Sequence, residues 1–357
     1  KQRMRWWVFV GATPGAWSAV WVKLNMTSRG QGHRAETEVP VQYIHVPKAG
    51  GTTIQYSLGK MLKKVLSVRP ERHNGDPAHC HNLKPLEAGK VYEGHAPIGY
   101  FSTNYYAASP IYIVCNREPL SLMASLFDFR NTFTGQTGNT GFLELVKQTQ
   151  NATKRLAAEG KDPTSFLDHL VRSGDEHIPD FTRFFVPCGC AFSDSSNLTA
   201  SAMHNVLRID VVAVLEDFGS LIPQLEYHLP WLKPFDMLNP ANVHSDRSQR
   251  QVLSEEAIAT LQGEPLFVSQ SKIYALSRDV AEARARFAER CMSDRGCDGV
   301  AGDQVPVKLS QEAYDLLKST APRLRKSSCV VPPAAGYGWP PFYSDEDDAA
   351  TSFTTTA

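Results

Sequence analysis

Three short segments carry residue types at spacings suited to chemistry. The first, Lys48-Ala49-Gly50-Gly51-Thr52-Thr53, follows the β-rich run Val41-Gln42-Tyr43-Ile44-His45-Val46 and its closing Pro47. Beyond it, Ile54, Leu58, Met61, Leu62 and Val65 share one face of an amphipathic helix. A strand leading through glycines into a helix turns unpaired amides and the positive end of the helix dipole toward an anion. Thr52 or Thr53 is the expected N-cap, and Lys48 adds a mobile charge beside the loop. Because Lys48 precedes the glycines, the segment departs from the Gly-x-x-x-x-Gly-Lys-Ser/Thr loop of nucleotide triphosphatases.

The second segment repeats strand, turn and helix: Pro110-Ile111-Tyr112-Ile113-Val114-Cys115, then Asn116-Arg117-Glu118-Pro119, then Leu122, Leu126 and Phe129 at helical spacing. Arg117 offers a planar fork that matches a phosphate, and Ser125 offers a hydroxyl donor. Between these two lies Val91-Tyr92-Glu93-Gly94-His95-Ala96-Pro97-Ile98-Gly99-Tyr100. His95 suits a general base because its pKa lies near working pH, and Glu93 is the second candidate.

The order Pro-Lys-x-Gly-Gly-Thr-Thr after a strand resembles the 5′-phosphosulfate loop of sulfotransferases that use 3′-phosphoadenosine 5′-phosphosulfate (PAPS). Its His-Val-Pro-Lys-Ala-Gly-Gly-Thr form is similar to the Golgi carbohydrate branch, which includes the heparan sulfate 2-O enzymes. Arg117 followed by Ser125 resembles that family's 3′-phosphate segment, although Leu122 stands where many members carry a second arginine. Gly94-His95-Ala96-Pro97-Ile98-Gly99 resembles the segment that holds the candidate base. The resemblance spans about residues 41 to 290. It implies a P-loop-like three-layer α/β fold, with PAPS as co-substrate, no required metal, and a glycan or polysaccharide hydroxyl as acceptor. Lys48 and His95 would be catalytic. Lys48, Ala49, Gly50, Gly51, Thr52, Thr53, Arg117 and Ser125 would bind the co-substrate, with Arg247 and Ser248 reaching it from the polar loop Asn242 to Ser248. Two rival readings are a kinase with a related phosphate loop and a glycan-binding homologue without catalysis.

The elements that must position these residues are legible from the rest of the chain. With 357 residues, 42% of them hydrophobic, the protein buries a full core without depending on disulfides. Its 37 basic residues balance 37 acidic ones, which argues against a general nucleic-acid binder. Strands alternating with helices predict an α/β domain with a largely parallel sheet. Val211 to Phe218 reads as a third buried strand, and Ser269 to Cys291, with Ile273, Leu276, Val280 and Phe287 on one side, as the closing core helix. Loops such as Gly135 to Gly141 and Asp180 to Cys190 carry no readable code.

At the N-terminus, Lys1, Arg3 and Arg5 precede an apolar run from Trp6 to Val22. A signal-anchor is expected there, giving a single-pass type II Golgi membrane protein with a luminal catalytic domain; a cleaved signal peptide is the alternative. Sequons at Asn25, Asn151 and Asn197 agree with a luminal location. The expected organisation is an anchor and stem over 1–40, a catalytic domain over 41–290, an extension over 291–329 and an acidic, Thr-rich tail over 330–357. Among seven cysteines, Cys115 is the expected buried free thiol, and Cys291 with Cys297 a candidate short loop. His79-Cys80-His81 and Cys188-Gly189-Cys190 lack the usual zinc spacing, so no metal site is expected. Oligomeric state is not encoded in any of these patterns.

Overall fold

A computed structural model describes residues 19–25, 40–66, 71–72, 91–94, 97–99, 110–125, 181–187, 190, 195–230, 233–235, 255–293, 304–324 and 327–331, together with isolated helical positions at 147, 151 and 158. Seven strands are present among them: β1 (Ala19–Asn25), β2 (Val41–Ile44), β3 (Glu71–Arg72), β4 (Val91–Gly94), β5 (Ile111–Asn116), β6 (Val211–Val214) and β7 (Gln304–Ser310). The helices are α1 (Gly51–Leu66), α2 (Ser195–Val206), α3 (Leu221–His228), α4 (Glu255–Gln262), α5 (Pro265–Ser293) and α6 (Gln311–Leu324), with residues 119–125 also helical.

The expected α/β architecture is present. Five strands form one parallel sheet in the order β3-β4-β2-β5-β6. Alternation along its strands explains the layers. On β5, Ile111, Ile113 and Cys115 pack with Ile54 and Leu58 of α1 and Leu221 and Leu225 of α3. Tyr112 and Val114 point the other way, to a cluster holding Leu198 and Met203 of α2 and Ile273, Leu276 and Val280 of α5. Both faces of the sheet are therefore covered by helices. That is why its strands read as unbroken apolar runs. The edge strand β6 is closed by α3, where Gln224 accepts the Val212 amide at 3.1 Å and donates to the Val212 carbonyl at 2.8 Å. A side-chain amide thus occupies the hydrogen-bonding edge that another strand would otherwise seek.

Several sequence expectations shift in detail. Helix α1 begins at Gly51, so Gly50 stands at the N-cap position rather than Thr52 or Thr53. The third strand stops at Val214, and Phe218–Ser220 is a 3-10 helix instead of more strand. The closing helix starts four residues early, at Pro265, a residue whose fixed φ and missing N–H suit a first helical position. The N-terminal apolar run expected to continue to Val22 ends differently as well. Its last four residues, Ala19 to Val22, belong to β1, which pairs antiparallel with β7 from Ala19 opposite Ser310 to Asn25 opposite Gln304. Trp6 to Ser18 lie outside the described residues, among which no helix is long and apolar enough to cross a membrane. At the other end, Val330 and Val331 are buried, and the Val331 amide donates to Asn205 Oδ1 at 2.8 Å. The packed chain therefore runs past the expected start of the tail at 330.

Cys115 is a buried free thiol, as expected. A disulfide joins Cys190 to Cys329. Cys190 is thereby withdrawn from any metal site with Cys188. Cys291 is also disulfide-bonded, while Cys297 and the His79-Cys80-His81 segment lie outside the described residues.

Candidate functional site

The sheet order fixes where a site belongs. From β2 the chain moves outward to β3 and β4, whereas from β5 it moves the opposite way to β6. The crevice at the C-terminal ends of β2 and β5 is therefore a topological switch point, the place where open α/β sheets bind ligands. The loops leaving those two strands are the Lys48 and Arg117 segments.

They touch directly. Arg117 Nη1 donates to the Lys48 carbonyl at 2.9 Å across a separation of 69 residues. The β2 loop turns through two left-handed residues, Lys48 at φ 62° and Gly50 at φ 77°. A side chain at Gly50 would also meet Leu215 Cδ1 at 2.7 Å, because the loop leaving β6 packs on this turn. Gly51 is required for a different reason: the His45 ring lies where its Cβ would stand. His45 in turn stacks on Tyr43, with ring centroids 5.7 Å apart. Thr53 and Ile54 donate to the Gly50 carbonyl, which starts the helix. The Gly51 and Thr52 amides, in the first turn, have no carbonyl within the helix to reach.

The Arg117 loop is held as firmly. Asn116 Oδ1 accepts the Arg117 amide at 2.9 Å, and Asn116 Nδ2 donates to Ser277 Oγ on α5 at 3.3 Å. Glu118 caps the helix that follows, accepting the Leu120 amide at 3.0 Å and the Ser121 amide at 2.7 Å. The Glu118 amide donates to Glu216 Oε1, and Tyr274 Oη donates to Glu216 Oε2. Burial and then the Glu216 carboxylate push the Tyr274 hydroxyl up to about 12, so it remains a proton donor at neutral pH. Loops from β2, β5 and β6 thus meet at one end of the sheet.

Beside Arg117 opens a small cleft. Its apolar floor is Leu122, Phe181, Phe185 and Ile273, and its polar lining is Asn116, Arg117, Thr182 and Gln270. Leu122 is buried, packed with these aromatic and aliphatic groups, so an apolar residue at this position has a packing reason.

Of the expected site residues, the structure brings Lys48, Ala49, Gly50, Gly51, Thr52, Thr53 and Arg117 to this crevice. Ser125 sits half-buried in the helix that follows Arg117 and does not line the cleft. Glu93 is buried at the end of β4 and accepts a hydrogen bond from Gln55 of α1 at 2.8 Å. His95, Arg247 and Ser248 lie outside the described residues. Among the described residues no group of three or more His, Cys, Asp or Glu side chains is arranged to hold a metal ion.

Sequence reasoning passed over Asn116 and the 3-10 helix Phe181–Phe185. Asn116 had a readable signal, being the one polar side chain ending an apolar strand beside the key arginine. Phe181–Phe185 had none, for five residues set no period. Compared with protein-family models and with curated proteins, the chain matches none.

Proposed function

We propose that the protein is a PAPS-dependent sulfotransferase that moves a sulfuryl group to a hydroxyl of a carbohydrate acceptor. The observation that carries this reading is the contact of Arg117 with the Lys48 carbonyl at the switch point. A co-substrate phosphorylated at both its 3′ and 5′ ends needs two anion sites side by side. Here the 5′ end would sit on the amides of Gly50 to Thr53, and the 3′-phosphate on Arg117, with Ser125 supplying a further donor. The P-loop-like character of the fold belongs to this reading.

In the reaction the acceptor oxygen attacks sulfur as the bond from sulfur to the bridging phosphate oxygen breaks, releasing adenosine 3′,5′-bisphosphate. His95 takes the acceptor's proton, with Glu93 the second candidate. Lys48 meets the charge that grows on the departing oxygen, so its effect is greatest in the transition state. Arg247 and Ser248 would close over the nucleotide. The Cys190–Cys329 disulfide supports an oxidising compartment; the luminal, Golgi-anchored location is part of the proposal. Of the sequons, Asn151 is exposed, whereas Asn197 is buried.

Thermal melting with adenosine 3′,5′-bisphosphate tests the reading, with ATP and ADP as comparators. At about 100 times Kd, a ligand that binds only the folded state stabilises it by about 2.7 kcal/mol. A shift with the bisphosphate that exceeds those with ATP and ADP, and that shrinks in Arg117→Ala, is the expected result. A shift with ATP alone, or with none of the three, would reject it.

A further inference from the structure

The guanidinium of Arg117 is only as well aimed as the backbone that carries it, and that backbone is tied to a helix far away in sequence. Asn116 is the last residue of β5, 5% exposed, and its carbonyl and both ends of its side-chain amide are engaged. Its carbonyl accepts the Leu215 amide at 2.9 Å, binding it to the β6 loop. Its Oδ1 accepts the Arg117 amide, and its Nδ2 donates to Ser277 Oγ across 161 residues. Ser277 is fully buried in the middle of α5, where its hydroxyl donates to the Ile273 carbonyl at 2.8 Å. Ile273 itself lines the cleft beside Arg117.

An asparagine inside an otherwise apolar strand end calls for an explanation, because burying its amide is costly unless both ends are satisfied. Here both ends are satisfied, one by Arg117 and one by α5. We propose that Asn116 and Ser277 are positioning residues that aim Arg117 and thereby set the preference for a nucleotide carrying a 3′-phosphate. This rests on the sulfotransferase reading and adds the source of its co-substrate selectivity. Helix α5 acts as the fixed support, Asn116 as the link and Arg117 as the contact. Loss of the Ser277 hydroxyl leaves the link without its outer anchor, and loss of the Asn116 amide frees the Arg117 backbone from both.

The test compares dissociation constants for adenosine 3′,5′-bisphosphate and adenosine 5′-phosphate in the full chain, with Ser277→Ala and Asn116→Leu beside the unaltered protein. Each variant's melting temperature without ligand is recorded. The expected result is that the preference for the bisphosphate, the monophosphate constant divided by the bisphosphate constant, falls about tenfold in both variants, with binding of the monophosphate little changed, as when one well-aimed charged hydrogen bond is spoiled. A purely structural role would lower the melting temperature and leave the ratio alone, and that outcome overturns the inference. If Asn116→Leu does not fold, Ser277→Ala decides by the same ratio. An unaltered protein without preference for the bisphosphate refutes the sulfotransferase reading itself, and the inference falls with it. That failure is seen before any variant is measured.

Discussion

Lys48 carries the charge that the proposed reaction needs, in a backbone conformation its side chain opposes. A non-glycine residue in the left-handed region costs about 1–2 kcal/mol, because Cβ crowds the following carbonyl. The cost persists because the surroundings over-determine the turn: Arg117 holds the Lys48 carbonyl, and Leu215 packs on Gly50. Replacing Lys48 by alanine removes the ammonium and keeps the strain, whereas glycine removes both. Lys48→Gly should therefore be more stable than Lys48→Ala by about 1 kcal/mol in urea denaturation. A smaller value for Lys48→Gly would mean that the left-handed turn is not set by this residue. The loop's glycines were readable as a turn from sequence. That each serves a separate neighbour, Leu215 for Gly50 and His45 for Gly51, was not readable, since those partners depend on how β6 and β2 are placed.

Elements whose periodicity is long were legible. Helix α5 buries Ile273, Leu276, Val280 and Phe287, the face its spacing predicts, and α1 likewise buries Ile54, Leu58 and Met61. The segment Phe181–Phe185 was left unread although Phe181, Phe184 and Phe185 are all buried, because contacts remote in sequence hold it in place. Chief among these is Asn205 of α2, which donates to the Phe185 carbonyl at 2.8 Å and the Cys329 carbonyl at 2.9 Å while accepting the Val331 amide. The Cys190–Cys329 disulfide closes the same junction. Asn205→Ala would leave three buried backbone groups unpaired, at about 1–3 kcal/mol each before relaxation. It should cost roughly 3 kcal/mol or more in chemical denaturation. Since the disulfide and Asn205 hold one junction, Asn205→Ala combined with Cys190→Ser and Cys329→Ser should cost less than the sum of the separate losses. Strict additivity would show that the two connections act independently.

At the scale of the whole molecule, the sequence announced an α/β sheet and the loops at its strand ends, but not the strand order that makes the crevice between β2 and β5 a switch point. Nor did it announce that β1 would pair with β7, because Ala19 to Val22 read as the end of a membrane anchor, an expectation that Gly11, Pro14 and Gly15 weaken without pointing to a partner strand. The joining of distant parts also buries charge-capable groups, and His204 shows what that does to stability. It lies between α2 and α6, fully buried, with Nε2 3.2 Å from Thr320 Oγ1. Burial, reinforced by the charge of Arg208 and partly opposed by a hydrogen bond with the Leu317 backbone, pushes its pKa down to about 3. An unfolded chain restores the ordinary value of about 6.5. Between those values the unfolded state binds the extra proton, so stability is complete above about 6.5 and is lost as pH falls toward about 3, at up to about 1.4 kcal/mol per pH unit. Carboxylates titrate in the lower part of that window, so from about pH 6.5 to 5 histidines dominate, and comparison with His204→Gln separates this one from the other ten. Denaturation midpoints measured there should decline more steeply with acid in the natural protein than in His204→Gln, which has no proton to take up at this position. Equal declines in the two would mean that another group governs acid stability and that His204 is not held neutral by the packing of α2 against α6.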